Sequence, residues 1–141
     1  EAAIQDHDVM VRRNVARGLA PVSHDVASSV WRTALTDEDT MVRLAALEAI
    51  QNRAGIEELM DILHPLLEHD HTPTRRAAAQ ALSRQPHMDS LEFFLTALED
   101  GDARVRQHVV EALQTLTGAF LHEHPNAWRW WFEQQPNSGT K

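Results

Sequence analysis

The sequence lacks two residue types that carry much of protein chemistry. Its 141 residues include no cysteine and no tyrosine. The absence of cysteine excludes disulfides, iron–sulfur clusters, zinc–thiolate sites and thiol nucleophiles. It also leaves the compartment open, because a chain without cysteine is compatible with both the cytoplasm and the periplasm.

Basic residues are also scarce. Thirteen Lys and Arg stand against 21 Asp and Glu, which gives a formal net charge of −8. An acidic chain repels phosphate backbones and anionic membrane surfaces, so we expect neither nucleic acid nor a membrane as a partner. Apolar runs are short, and none predicts a membrane-spanning helix. The 43% hydrophobic and 24% charged residues predict a folded domain.

Motifs of the common catalytic sites are missing as well. The sequence contains no G-x-S-x-G nucleophile motif and no glycine-rich phosphate loop. We therefore expect no catalytic residue, no cofactor and no enzymatic activity.

What the sequence does contain is one phrase that recurs four times. The phrase is acid, any residue, acid, two residues, an aliphatic, an arginine, and then small or aliphatic residues. Its arginines recur at a nearly constant interval, as Arg12, Arg43, Arg75 and Arg106. The third copy is degenerate, since histidines replace both acids and a threonine replaces the aliphatic residue.

Each phrase predicts an amphipathic helix, because its apolar positions fall at i, i+4, i+7 and i+8 and form one stripe. The acids stand at the helix start, where carboxylates accept hydrogen bonds from free backbone amides. A second helical pattern lies between copies, at about 23–35, 56–67 and 90–98. The repeat unit is therefore a helical hairpin, and no segment alternates long enough to predict a strand.

The phrase D-x-D-x-x-V-R-x-x-A-x-x-A-L, repeated at this regular interval, resembles the second helix of a HEAT repeat. The likeness is to the short bacterial form, also found in phycobilin-lyase-like proteins, and it covers about residues 6–117. It implies an all-α fold, a right-handed α-solenoid of about four hairpins with a C-terminal capping helix. It also implies that second helices line the concave side and that the recurrent Asp and Arg form a ladder between neighbouring repeats. We expect Arg43 to bridge the helix-start acids of adjacent repeats.

The repeat domain is predicted to span residues 1–135. We interpret Glu1–Gln5 as the last turn of an incomplete first hairpin. The apolar face formed by Ile4, Val11 and Val15 is then expected to lack cover, which predicts self-association through the N-terminal end.

At the other end, a helix at about 126–134 is predicted to cap the fourth repeat. Trp128, Trp131 and Phe132 share one face of this helix, and we expect Trp131 to seal the core. Trp130 points elsewhere, while residues 136–141 are expected to form a flexible tail.

Four histidines are the candidate metal ligands of the sequence. His69, His71, His122 and His124 form two pairs in predicted loops. Zinc or nickel needs three or four convergent ligands, so we expect no metal site and adventitious binding at most. Related repeat proteins with a di-iron centre have His-Glu pairs at the starts of second helices, where this chain has Val-Arg or Thr-Arg.

The surface turned away from the core is the candidate binding surface. Its composition suits a protein or acidic peptide, and the alternative is a solvated face without a partner. We interpret the chain as a non-catalytic protein–protein interaction scaffold that forms part of a larger protein. The alternative is an accessory domain or subunit of an enzyme, such as a bilin-lyase-like or redox-protein appendage, that holds a substrate-bearing partner. The candidate partner-binding residues are Met10, Arg13, Arg17, Met41, Leu44, Arg76 and Trp130.

Overall fold

A computed structural model of the chain describes residues 2–22 and 26–135. The regular structure within these ranges is helical, without a strand. The α-helices are α1 (Val9–Gly18), α2 (Ser28–Leu35), α3 (Thr40–Ile50), α4 (Met60–Leu66), α5 (Thr72–Arg84), α6 (Leu91–Ala97), α7 (Ala103–Thr117) and α8 (Pro125–Glu133). Short 3₁₀ turns lie at Ala2–Gln5, Ala20–Val22, Glu57–Leu59 and Met88–Ser90.

The repeat phrases form α1, α3, α5 and α7, which pack against one another in chain order. The patterns between phrases form α2, α4 and α6, and each packs against the following second helix. This two-layer stack confirms the predicted all-α solenoid. The first helices are shorter than predicted, since α2 begins at Ser28. Residues 23–25 lie outside the described part of the chain, as do residues 136–141, for which a flexible tail was predicted.

Most second helices begin in the same way. Asp8, Asp39 and Asp102 each accept a hydrogen bond from an amide of the first turn. Helix α5 is the exception, because His71 stands at its N-cap position without capping the helix. The His71 ring instead lies 3.0 Å from the hydroxyl of Thr74, which occupies the aliphatic position of the phrase. Two of the three substitutions in this copy, His71 and Thr74, therefore pair with each other.

The core follows the predicted apolar stripe. The position two helical turns after each repeat arginine is buried in all four copies, as Leu19, Ile50, Leu82 and Leu113. Cover is weaker on α1, where Val11 and Val15 are half-buried. Their counterparts in the later copies are buried. Ile4, by contrast, is only 1% exposed, so the expectation that it lacks cover is wrong. Its 3₁₀ turn packs against both α1 and α2.

Helix α8 closes the C-terminal end. Helix α7 ends at Thr117 and is followed by Gly118, whose φ of 71° suits a residue without a side chain. Trp128 is fully buried and its indole nitrogen donates to the carbonyl of His122 at 2.7 Å. Trp131 is half-buried, so the expectation that it seals the core is wrong. The turn at His122, whose φ is 52°, supplies the carbonyl that accepts the hydrogen bond of the Trp128 indole, and Trp128 rather than Trp131 is the buried residue of the cap. Trp130 is 61% exposed, as predicted.

None of the helices in residues 2–22 and 26–135 combines the length and the apolar character that crossing a bilayer requires.

Candidate interaction surface

An arginine ladder ties neighbouring repeats together. Arg12 donates from Nε and Nη2 to the two carboxylate oxygens of Asp37, at 2.8 and 3.2 Å. Arg75 makes the same two bonds to Asp100, at 2.8 and 3.3 Å. The Nη1 of each arginine also donates to a carbonyl of the loop that precedes its own helix. Each arginine side chain thus binds both this loop and the first acid of the next repeat.

A second row of ion pairs runs beside the first. Arg13 donates to both oxygens of Asp39, at 3.0 and 2.9 Å, and Arg76 pairs in the same way with Asp102. The hydrogen bonds from Arg13 lower the pKa of Asp39 to about 2. Those from Arg76 hold the pKa of Asp102 well below its usual range. Arg13 and Arg76 were predicted as candidate partner-binding residues, and each already forms an ion pair with an aspartate of the next repeat.

The ladder is broken between the second and third repeats. Arg43 corresponds to Arg12 and Arg75, but His69 stands where the next repeat would supply an aspartate. Arg43 donates to the carbonyls of Asp37 and Glu38, at 2.7 and 3.0 Å, and to the hydroxyl of Thr40. Its Nε is buried and has no hydrogen-bond partner among the described residues.

The prediction that Arg43 bridges the acids of adjacent repeats is therefore wrong. The physical reason is that each ladder arginine reaches the first acid of the following repeat phrase, and His69 occupies that position for Arg43. The second row is also missing at this joint, because Leu44 and His71 replace the arginine and the aspartate.

The ladder ends differently at the two ends of the stack. Arg106 pairs with Glu123 of the loop before α8 at 2.9 Å, so the cap supplies the final carboxylate. Asp6 and Asp8 occupy the acid positions of the first repeat. Within the described part of the chain, no arginine side chain forms an ion pair with either of them.

Two exposed methionines distinguish the face formed by α1 and α3. Met10 is 53% exposed and Met41 is 44% exposed, at equivalent positions of the two helices. Arg17 is exposed and Leu44 is half-buried. A cavity of about 340 Å³ lies beside these two helices and is lined by Arg17, Ala20, Ala45, Glu48, Ala49 and Asn52. The last predicted residue, Trp130, lies apart from these on α8.

The structure does not bring the predicted histidines together. His69 Nδ1 accepts a hydrogen bond from the His71 amide at 3.0 Å, and the His71 ring is bonded to Thr74. His122 and His124 lie in the loop before α8. Among residues 2–22 and 26–135, no group of three or more His, Asp or Glu side chains is arranged to hold a metal ion.

Sequence reasoning missed a buried polar cluster between α4 and α6. His64 is 7% exposed, its Nε2 lies 2.8 Å from the Ser90 hydroxyl, and its ring stacks on Phe93 at 4.0 Å. Burial lowers the pKa of His64, and the charges of Asp89 and Asp61 oppose this shift. The sequence feature that could have indicated this cluster is the position of His64 directly after the apolar residue Leu63 within a short helix.

Comparison with known proteins supports the interpretation of the repeats. The sequence model of HEAT repeats matches the chain over residues 1–83 and again over residues 60–123. A comparison with curated proteins finds none that matches. The repeated hairpins, their arginine ladder and these two matches lead to one conclusion: the chain belongs to the HEAT-repeat family.

Proposed function

We propose that this chain is a non-catalytic protein-interaction module whose second-helix layer binds a segment of another protein. The observation that carries the proposal is the exposure of Met10 and Met41 at equivalent positions of adjacent helices. Methionine is flexible and polarisable, so it adapts to apolar side chains of different shapes. HEAT repeats commonly serve as protein-interaction scaffolds.

The surface favours a partner that binds mainly through apolar side chains and to a smaller extent through acidic groups. Arg13 and Arg76 add little net attraction, because each already pairs with an aspartate. Arg17 and Arg104 are exposed, and neither forms an ion pair with another residue of the described ranges. These two side chains are therefore available to form ion pairs with an acidic peptide. The net charge of −8 disfavours nucleic acid and anionic membranes.

The same surface would serve the alternative role, an accessory domain or subunit that holds a substrate-bearing partner for an enzyme. The two roles differ in the identity of the bound protein. A partner that carries a catalytic site or a bound chromophore would favour the accessory role.

Photo-crosslinking tests the proposed surface. A benzoylphenylalanine placed at Met41 in the full chain, in the source cells, is expected to give a discrete adduct with one protein. The same group at Glu68, which is exposed but outside the second-helix layer, is the matched control. Met10→Glu is expected to reduce the Met41 adduct at least about tenfold, since a charge at an apolar contact is costly. Equal adducts from both positions, or none from Met41, would contradict the proposal.

The N-terminal end is proposed as a second contact surface. Val11 and Val15 are half-exposed there, and the ladder acids Asp6 and Asp8 are not paired with arginines of the described chain. The half-exposed valines suit an apolar self-contact at this end. The two carboxylates must stay in solvent in that contact, since burying like charges without counter-ions is costly.

A further inference from the structure

One edge of the solenoid has a notch at each joint between repeats. The three notches have similar volumes of about 450, 400 and 390 Å³. Each is lined by a ladder arginine and by the residue at the first acid position of the next repeat. These pairs are Arg12 with Asp37, Arg43 with His69, and Arg75 with Asp100. The middle notch lacks the carboxylate that stands opposite the arginine in the other two notches.

Arg43 is held in the same pose as the paired arginines. Its Nη1 donates to two carbonyls of its own helix start, at 2.7 and 3.0 Å. Arg75 makes the equivalent bonds at 2.8 and 3.1 Å. In Arg12 and Arg75 the remaining Nε and Nη2 form the fork that holds a carboxylate. The fork of Arg43 is preset by the same backbone contacts, but its Nε has no acceptor in the described part of the chain.

An unpaired buried donor on a cation is unfavourable, because the lost hydration is not replaced. A guanidinium fork matches a carboxylate in both geometry and charge, which makes the carboxylate its preferred ligand. We propose that the middle notch binds a carboxylate group from outside the fold. This group would form with Arg43 the ion pair that Arg12 and Arg75 form with aspartates of the chain. The group comes from an Asp or Glu side chain of a bound protein segment or from a small free carboxylate.

Negative charges around the notch do not oppose such a ligand strongly, because two of them are already compensated. Asp37 is paired with Arg12, and Asp61 is paired with Arg32 at 2.7 Å. Glu38 is exposed to solvent, which screens its charge. Because the Nε of Arg43 is buried, the entering group must displace side chains that cover it. His69 lines the same notch and is half-exposed.

This site lies on the edge of the solenoid and does not include the exposed methionines. The inference is therefore independent of the proposed function, and either one can fail without the other.

The test follows the Arg43 Nε–Hε signal of the labelled full chain by NMR spectroscopy. Arg43→Lys identifies the signal by its disappearance, and Arg43→Gln is a second assignment variant. The probes are sodium acetate, compared with sodium chloride at equal ionic strength, and the capped peptide TDEDT, which copies residues 36–40 of the chain. The control peptide is TNQNT, which has no carboxylate.

We expect acetate and TDEDT to shift the Arg43 signal to saturation, while TNQNT leaves it unchanged. In His69→Asp the signal is expected at the shifted position without ligand and to respond to neither probe. Saturation by TDEDT at a concentration at least about tenfold below that of acetate assigns the site to an acidic protein segment. Saturation by TDEDT and acetate at similar concentrations assigns the site to a small carboxylate. An Arg43 signal that neither probe moves, or that moves no more than those of exposed Arg17 and Arg84, would overturn the proposal.

Discussion

Arg12 and Asp37 form a nearly buried ion pair across the first joint between repeats. The guanidinium donates two hydrogen bonds, and the side chains retain only 11% and 5% of their exposure. The Oδ1 of Asp37 also accepts a hydrogen bond from the Asp39 amide at 2.8 Å. The pair therefore connects α1 with the loop that begins α3, the next second helix.

Removal of Arg12 is expected to destabilise the stack more than removal of Arg43. Arg12→Met leaves the Asp37 carboxylate buried without a counter-ion, and we expect the melting temperature to fall by about 5–10 °C. Arg43→Met breaks no ion pair and is expected to lower it by less than half as much. Thermal melting followed by circular dichroism measures both. Equal losses would show that the ion pairs do not hold the joints together.

The sequence predicted the hairpins because the repeat phrase has both a helical stripe and a fixed period. The family resemblance implied a ladder of Asp and Arg between neighbouring repeats, and Arg12 and Arg75 do pair with the first acid of the next repeat. The pairing expected for Arg43 was wrong, because the third copy has His69 at the position of that acid.

The ion pairs of Arg13 and Arg76 were not predicted either. Their helical angle places them away from the core of their own hairpin, which made them candidates for binding a partner. Each aspartate that pairs with them comes from the next repeat. A single helix cannot reveal a contact made by its neighbour.

The C-terminal cap depends on Trp128. Its side chain is fully buried and its indole nitrogen is bonded to the His122 carbonyl. Trp128→Ala is expected to cost about 3–5 kcal/mol of unfolding free energy, because it leaves a large cavity and an unpaired carbonyl. Trp130→Ala, at an exposed position of the same helix, is expected to cost less than about 0.5 kcal/mol. Urea unfolding of both variants provides the measurement, and the reverse order of losses would contradict this account of the cap.

His64 predicts a loss of stability at low pH. Its pKa is lowered in the folded chain from an ordinary value of 6.5, chiefly by burial. The unfolded chain therefore binds the proton more readily, and the contribution of His64 to stability is lost as the pH falls below about 6.5. The free energy of unfolding is expected to fall less steeply between pH 7.5 and pH 5.5 in His64→Gln than in the parent. Ser90→Ala retains the histidine and serves as the control. Parallel curves for the parent and His64→Gln would rule out this role.

The N-terminal surface predicts concentration-dependent association. Sedimentation equilibrium of the chain is expected to show an average mass that rises with protein concentration. Val15→Lys places a charge on the half-exposed apolar face and is expected to restore the monomer, whereas Trp130→Ala is expected to leave the association unchanged. A parent chain that stays monomeric at its highest soluble concentration would refute the proposed contact.

The most direct test of the broken ladder is a double-mutant cycle on Arg43 and His69. Asp37 and Asp100 each accept the amide two residues ahead, as His69 does, so His69→Asp is expected to keep the local loop and add the missing carboxylate. We predict that His69→Asp raises the melting temperature by about 2–4 °C and that the gain disappears in the Arg43→Met background. The same gain in both backgrounds, or no gain in either, would contradict the claim that Arg43 lacks a partner at this joint.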